Sequence, residues 1–510
     1  MRGTYVVTGG RGARRSFEQT QLANPEGNRD DASRVIVEEM IQRTHFTGIR
    51  HLMLRRRFPI VIALLLVCFA VVGPVASAAE RPNFVVFIAD DMAWNDCGAY
   101  GHSKIRTPYV DQLARDGLRF DNAFLTCSSC SPSRSSMITG RYPHNTGAEQ
   151  LHLPLPGQQV TFVERLKASG YYTASAGKWH LGKATMPKFD FVTAKMNQWV
   201  KTLQERPRDK PFFCWFAFTD PHRGYQKNTI PMPHKPSDAI VPPFLPDNIE
   251  TRRDLAAYYD EIARLDGVVG ACVKELEKQN ATRETVIVFL SDNGRPFPRC
   301  KTTVLDSGIK TPWIVKWPGR AKPGTTTDSL ISSIDLAPTV LELAGVKIGP
   351  TFQGKSFASI LSDPKAATRQ YVFAEHNWHD FDDHQRAVRS SRFKYIRNSY
   401  TDIPLTPPAD AVRSPTYNSM LTLHASGKLP KSQSICFAAP RPAEELYDLA
   451  ADSYEMKNLA GDPAYAKTLT ELRGVLDGWS KRTDDVVPQK RRPDGFHRVT
   501  GERLQLSKKR

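Results

Sequence analysis

The sequence predicts an α/β domain followed by a smaller α+β domain, and two observations carry that expectation. In the first two thirds of the chain, short apolar runs that end in polar residues alternate with amphipathic helical segments, as in a sheet buried on both faces. After a turn-rich stretch over 347–365 the character changes: from about residue 366 the apolar runs shorten and one helical segment closes the pattern. The chain of 510 residues is long enough for two or more domains, and 40% hydrophobic with 24% charged residues is ordinary for a folded protein.

The run Asn83-Phe84-Val85-Val86-Phe87-Ile88-Ala89 is continuously apolar after its first residue and stops at Asp90-Asp91, which reads as a buried strand. Phe212–Phe218, ending in Thr219-Asp220-Pro221-His222, and Thr285–Leu290, ending in Ser291-Asp292-Asn293-Gly294, repeat that pattern. Between them Ile262, Leu265, Val269, Cys272 and Leu276 have helical spacing. Ligands of such sheets bind outside the carboxyl ends of the strands, where all three runs deliver polar residues. The segment from Ile334 through Leu343 predicts a helix stopped by Gly345. Tyr371–Ala374, Phe393–Ile396 and Leu446–Tyr447 predict short strands, with a helix near 464–480. The expected divisions are a large domain over 79–365, a smaller one over 366–487, and a basic tail over 488–510 that should fray.

At the other end, Arg55-Arg56-Arg57, the apolar stretch Phe58–Val72 and Val75-Ala76-Ser77-Ala78 have the three parts of a secretory signal peptide. Residues 53–78 are therefore expected to be cleaved after Ala78, and the polar residues 1–52 to be upstream sequence translated in error. This predicts a secreted or periplasmic protein with no stable membrane span after cleavage. Residues 1–57 hold 11 Arg against 6 acidic residues, so +12 of the formal +17 belongs to the remainder. Such a surplus favours anionic partners, and export excludes nucleic acid in favour of acidic polysaccharide. The cysteines after Ala78 are scattered and odd in number, which excludes a disulfide framework and zinc pairs and makes most of them buried small hydrophobes.

Asp90, Asp91, Asp292 and Asn293 stand at the ends of two predicted strands and offer only oxygen, which suits a hard cation, calcium before magnesium. Three carboxylates together also require compensating positive charge. Cys130-Ser131-Pro132-Ser133-Arg134, continuing through Met137-Ile138-Thr139-Gly140, resembles the signature of the sulfatase family, and Gly170 to His180 resembles its second signature. The resemblance covers roughly residues 81–480 and implies an alkaline-phosphatase-like large domain with a mostly parallel mixed sheet and a C-terminal domain with an antiparallel sheet.

It also implies that Cys130 is oxidised to formylglycine (3-oxoalanine) by a formylglycine-generating maturation enzyme. One hydroxyl of the hydrated aldehyde attacks sulfur and the other later expels sulfate, dividing one difficult hydrolysis into two steps. In this resemblance Asp90, Asp91, Asp292 and Asn293 bind one calcium ion, which also holds the residue at position 130. Arg134 pairs with the nucleophile region, with Pro132 stiffening a turn. Lys178 meets the sulfate oxygens, His180 the formylglycine, and His222 the leaving-group oxygen as general acid. Lys301 matches a second sulfate lysine, with Lys310 as the alternative.

Ser128-Ser129, Asp220-Pro221-His222-Arg223 and Ser291 through Pro298 resemble the heparan N-sulfatase branch most, although that branch carries arginine where Lys301 stands. N- and O-sulfate specificity both stay open. The polar cluster His376, His379, Asp382, Asp383 and His384 is either a substrate-binding lip or a solvated loop. The expected activity is hydrolysis of sulfate esters or sulfamates on sulfated glycans. The alternatives are a phosphate or phosphonate ester hydrolase of the same superfold, which would place Ser or Thr at position 130, and an inactive polysaccharide-binding relic.

Overall fold

In a computed structural model, residues 81–505 are described. The expected signal peptide at 53–78, the segment 1–52, the expected new N-terminus at Ala79 and residues 506–510 lie outside the described residues. Asn83–Ala89 forms β1, near the middle of an eight-stranded sheet. The sheet also contains β2 (Leu118–Phe120), β4 (Tyr172–Gly177), β5 (Phe191–Thr193), β6 (Phe212–Ala217), β7 (Thr285–Ser291), β8 (Trp313–Lys316) and β9 (Thr325–Thr327). Its order is β5-β4-β6-β1-β7-β8-β2-β9. Pairing is parallel from β5 through β7 and antiparallel on both sides of β8. The short strands β3 (Ala123–Phe124) and β10 (Ile331–Ser332) pair with each other.

Alternation along β1 explains its continuous apolar run. Phe84, Val86 and Ile88 enter one core with Met137 and Ile138; Val85, Phe87 and Ala89 enter another with Leu255, Ile262 and Leu265. Both faces are buried under helices, so no position on the strand can be polar without cost. The nucleophile motif forms α1 (Cys130–Thr139) on the first face, and α2 (Ile249–Lys278) crosses the second. The long helix starts well before its expected apolar stripe, because Asn248 Oδ1 accepts the amide of Thr251 at 2.9 Å and caps it. The predicted helix after Ile334 is α3 (Leu336–Leu343), entered through a short 3-10 turn.

The second sheet is antiparallel, in the order β11 (Val372–His376), β12 (Gln385–Arg389), β13 (Phe393–Asn398), β14 (Glu444–Asp448). One face carries Val372, Ala374, Ala387 and Ile396 against Phe124, Leu125 and Val304. The other carries Phe373, Val388, Tyr395 and Leu446 against Leu472, Leu476 and Trp479. The latter three project from α5 (Ala466–Thr483), and the described residues belong to one compact unit. Between β13 and β14 the chain makes a long excursion containing α4 (Ala409–Val412).

Two expectations are corrected here. The tail is not frayed through 488–505: Trp378 Nε1 donates to the carbonyl of Pro493 at 3.0 Å, Asp494 Oδ1 accepts the amide of Asp382 at 2.7 Å, and Arg491 pairs with Asp402. Its basic residues find specific acceptors, which offsets the entropy of ordering them. Nor is the segment around Asp382, Asp383 and His384 a solvated loop. All three residues are buried, Arg441 pairs with Asp383 at 2.6 Å, and the chain runs directly into β12.

Candidate active site

Four adjacent parallel strands, β4, β6, β1 and β7, end on one side of the large sheet, and the chain leaving each of them carries site residues. Asp90 and Asp91 follow β1, Lys178 and His180 follow β4, His222 follows β6, and Asp292 and Asn293 follow β7. Gly177 makes the β4 exit possible. Its φ is +102°, and a Cβ there would lie 1.9 Å from the carbonyl oxygen of Ala217. That carbonyl instead accepts the amide of Lys178 at 2.8 Å. Asp91 and His180 hold positive φ values of 75° and 49°, a backbone cost that surrounding contacts must offset.

Cys130 is the first residue of α1, and every residue of this helix is buried. Pro132 lies within the helix's first turn, where no intrahelical N–H bond is lost; it does not stiffen a separate turn, which corrects the expectation. The thiol is 2% exposed, 3.5 Å from Asp90 Oδ1 and 3.8 Å from Asp91 Oδ1. Burial pushes that thiol well above its ordinary value, despite Lys178 and Lys301, so it is no thiolate. Arg134, one turn along, donates from Nε to Asp292 Oδ2 at 2.8 Å and from Nη1 to the carbonyl of Lys178 at 2.9 Å.

The three carboxylates face three cations. Lys178 pairs with Asp90, Lys301 Nζ approaches Asp91 Oδ1 at 2.7 Å, and Arg134 takes Asp292. Burial alone would raise Asp90, yet Lys178 with His222 and Arg134 holds it below its ordinary value. Asp292 moves upward, through burial first and the neighbouring Asp90 second. Lys301 is raised well above its usual value: desolvation of its ammonium lowers it, but Asp91, Asp410 and Asp90 with their neighbours together outweigh that. Asn293 donates its amide to Asp91, but its buried Oδ1 has no hydrogen-bond partner. An orphaned oxygen beside three carboxylates fits a hard cation, which would satisfy it and relieve the mutual repulsion. Asp90, Asp91, Asp292 and Cys130 all present ligand atoms within 4.8 Å of one another.

The histidines line the remaining side. His180 Nε2 meets His152 Nδ1 at 2.8 Å, and burial, with Lys178 and Arg134, pushes His180 down to about 2, which keeps it neutral. His222 Nδ1 donates to the carbonyl of Arg223 at 3.0 Å, which turns Nε2 toward Asp91 Oδ2 (3.9 Å) and Asp410 Oδ2 (3.7 Å). His379 is buried and its Nδ1 lies 2.7 Å from Ser129 Oγ, next to the nucleophile helix; His376 is buried at the end of β11. Lys310 lies elsewhere, 4.0 Å above the ring of Trp94, so the carboxylates meet Lys301 and not its alternative. His152 and Asp410 were not anticipated from sequence. A histidine at positive φ (67°) offers no pattern to read, and Asp410 comes from a four-residue helix far along the chain.

Comparison with known proteins gives the family. The sulfatase family model matches residues 82–195 and 188–346, and a model for the C-terminal part of N-sulphoglucosamine sulphohydrolase matches 300–406. An ulvan-active sulfatase of Formosa agariphila is 33% identical over 458 residues, spanning 78% of this chain and 75% of that protein. The human N-sulphoglucosamine sulphohydrolase is 31% identical over 487 residues, spanning 84% of this chain and 95% of its own. Among solved structures, BT4656 in complex with its substrate D-glucosamine-2-N,6-O-disulfate superposes with a TM-score of 0.62 at 21% identity, covering 80% of this chain and 99% of that one.

Proposed function

The chain belongs to the sulfatase family and is a sulfuric ester hydrolase or sulfamidase, and from that premise we propose that it is an exported, formylglycine- and calcium-dependent enzyme acting on sulfated glycans. The observation that carries this reading is Cys130 at the start of a wholly buried helix, its sulfur 3.5 Å from Asp90 and 3.8 Å from Asp91. A buried, protonated thiol is useless as a nucleophile, whereas an oxygen nucleophile at the same place would sit among oxygen-only ligands. When bound, calcium would be held by Asp90, Asp91, Asp292 and Asn293 and would supply positive charge to the sulfate and to the oxygen at position 130. Formylglycine would be formed there by a maturation enzyme acting on Cys130.

The chain's own residues divide the work. Lys178 and Lys301 complement the sulfate oxygens, and both ammonium groups stay charged under burial because carboxylates stand behind them. Arg134 fixes Asp292 and the Lys178 carbonyl, so it positions the cation site and the β4 exit together. His180, neutral and adjoining His152, would hold one hydroxyl of the nucleophile by a hydrogen bond. His222 presents Nε2 toward the opposite side, where a leaving group would take its proton. Exit through the signal peptide at 53–78 accords with a surplus of positive charge that would draw acidic polysaccharide from solution. The glycan reading is supported by the relatives, whose names include an ulvan-active sulfatase and an N-sulphoglucosamine sulphohydrolase.

The test is sulfate release from a panel of ulvan and heparan oligosaccharides, N- and O-sulfated glucosamines and an aryl sulfate, using protein whose aldehyde has been detected by mass spectrometry. Release from at least one sulfated sugar is expected; release of phosphate from matched phosphate esters, with none of sulfate, would contradict it.

A further inference from the structure

A cavity of about 940 Å³ opens between α5 and the start of β11, and it shares no residue with the catalytic pocket. Gln353, in one wall, is tied to the far end of the nucleophile helix: its amide donates to the carbonyl of Gly140 at 2.8 Å. The length of α1, roughly 15 Å, therefore separates this wall from Cys130. Lys355, Arg369 and Arg482 line the cavity, and no Asp or Glu does so among the described residues. Arg369 has Asp335 buried behind it, and Glu471, outside the lining, accepts the hydroxyl of Tyr371 at 3.1 Å. Lys355 and Arg482 are exposed and have no ion-pair partner among the described residues. Like charges left unpaired over one concavity repel each other and attract an anion.

The wall formed by α5 carries a second, independent sign of a built site. Gly474 and Gly478 lie one turn apart inside this helix, both facing the cavity, and glycine inside a helix costs stability relative to alanine. Packing does not require either of them. A Cβ at 474 would meet nothing within 4 Å, and one at 478 would meet Nη1 of Arg482 at 3.1 Å. The pair strips one helix face of side chains, and the gap at 478 is where the Arg482 guanidinium lies. A flat ring can approach the helix backbone there.

We propose that this cavity is a second glycan-binding site, which holds acidic sugars of a sulfated polysaccharide away from the reacting bond. Its volume falls in the roughly 300–1,000 Å³ range of pockets that enclose small organic ligands, far more than one inorganic ion fills. Lys355 and Arg482 suit sulfate or carboxylate groups, Gln370 and Thr368 suit sugar hydroxyls, and Tyr371 offers an aromatic wall to the apolar face of a ring. A recessed site does not match the surface of a membrane. The inference goes beyond the catalytic function proposed above and does not depend on it, since binding here makes and breaks no covalent bond.

The test is the Kd of the mature protein for long-chain heparan sulfate, by titration calorimetry, in wild type and two variants. Lys355→Gln with Arg482→Gln removes the unpaired charges. Gly474→Gln fills the open helix face with a better helix former, so its melting temperature should hold or rise and unfolding cannot explain lost binding. Each variant is expected to raise Kd by roughly tenfold or more, the scale of a charge-assisted contact, with kcat/KM on a monosaccharide sulfate unchanged. Either variant leaving Kd unchanged overturns the proposal, as does an equal loss on the monosaccharide. Variant-sensitive binding of inorganic sulfate, of the desulfated chain or of single-stranded DNA, as tight as that of heparan sulfate, overturns the acidic-sugar assignment. Wild type that binds the chain with this sensitivity but hydrolyses no sulfate leaves the second site standing and overturns the sulfatase reading; the reverse result overturns the second site alone.

Discussion

Lys301 shows how much one side chain in this site depends on its counter-charge. It is 1% exposed, and the carboxylates around it, Asp91 first and then Asp410 and Asp90, make an ammonium stable there. Lys301→Ala should lower kcat/KM by roughly 10²–10³, the range for one oxyanion-type contact, with the loss seen on esters and sulfamates alike. His222→Ala should cost roughly 10²–10⁴, and less on an aryl sulfate, whose phenoxide needs little protonation to leave. A His222→Ala variant equally impaired on aryl and sugar sulfates would remove the general-acid role. The residues that could be read from sequence were those in contiguous motifs, from Cys130 to Arg134 and from Lys178 to His180, or at the end of an apolar run, as Asp90, Asp91, Asp292 and Asn293 are. His152, from a turn, and Asp410, from a helix too short to show periodicity, enter the site through tertiary contacts alone, so no local pattern marks them.

The strand exits do the positioning among the elements, and their tolerance is small. Gly177→Ala would place a methyl group 1.9 Å from the Ala217 oxygen at a φ of +102°. It should destabilise the fold by roughly 1–3 kcal/mol and shift Lys178 away from Asp90, so thermal melting and activity fall together. The junction after α1 makes a different prediction. His144 Nδ1 lies 2.5 Å from Glu375 Oε2 on β11, and although burial opposes it, Glu375 raises the imidazole above its ordinary value. A raised folded-state value means that this contribution is complete below the unfolded value near 6.5 and disappears as pH climbs through the folded one. The stability gap between wild type and His144→Gln, from urea unfolding, should therefore narrow as pH rises from the acidic side; a gap that widens contradicts the pairing. The buried strands β1, β6 and β7 were legible because unbroken apolar runs leave few other structures possible. β12 was not, because Gln-Arg-Ala-Val-Arg buries its polar ends through ion pairs such as Arg386 with Asp485 and Arg389 with Asp306.

For the whole molecule, stability and activity should both respond to calcium. A ligand that binds only the folded state stabilises by about 2.7 kcal/mol at a concentration a hundredfold above its Kd. Calcium should accordingly raise the melting temperature of the mature protein, and chelation or Asp292→Ala should abolish both the rise and the turnover; chelated enzyme with full turnover would exclude the four-oxygen site. The central claim is that an oxygen nucleophile made from Cys130 performs the hydrolysis. The most direct measurement is sulfate release per molecule across preparations whose aldehyde content at position 130, read by mass spectrometry, ranges from none to complete, with folded Cys130→Ser as the zero point. Turnover should scale with aldehyde content and extrapolate to background, and Cys130→Ser should lose more than the roughly 10²–10⁴ expected for removing one acid or base. Multiple turnovers at near wild-type rate by aldehyde-free protein or by Cys130→Ser would contradict it.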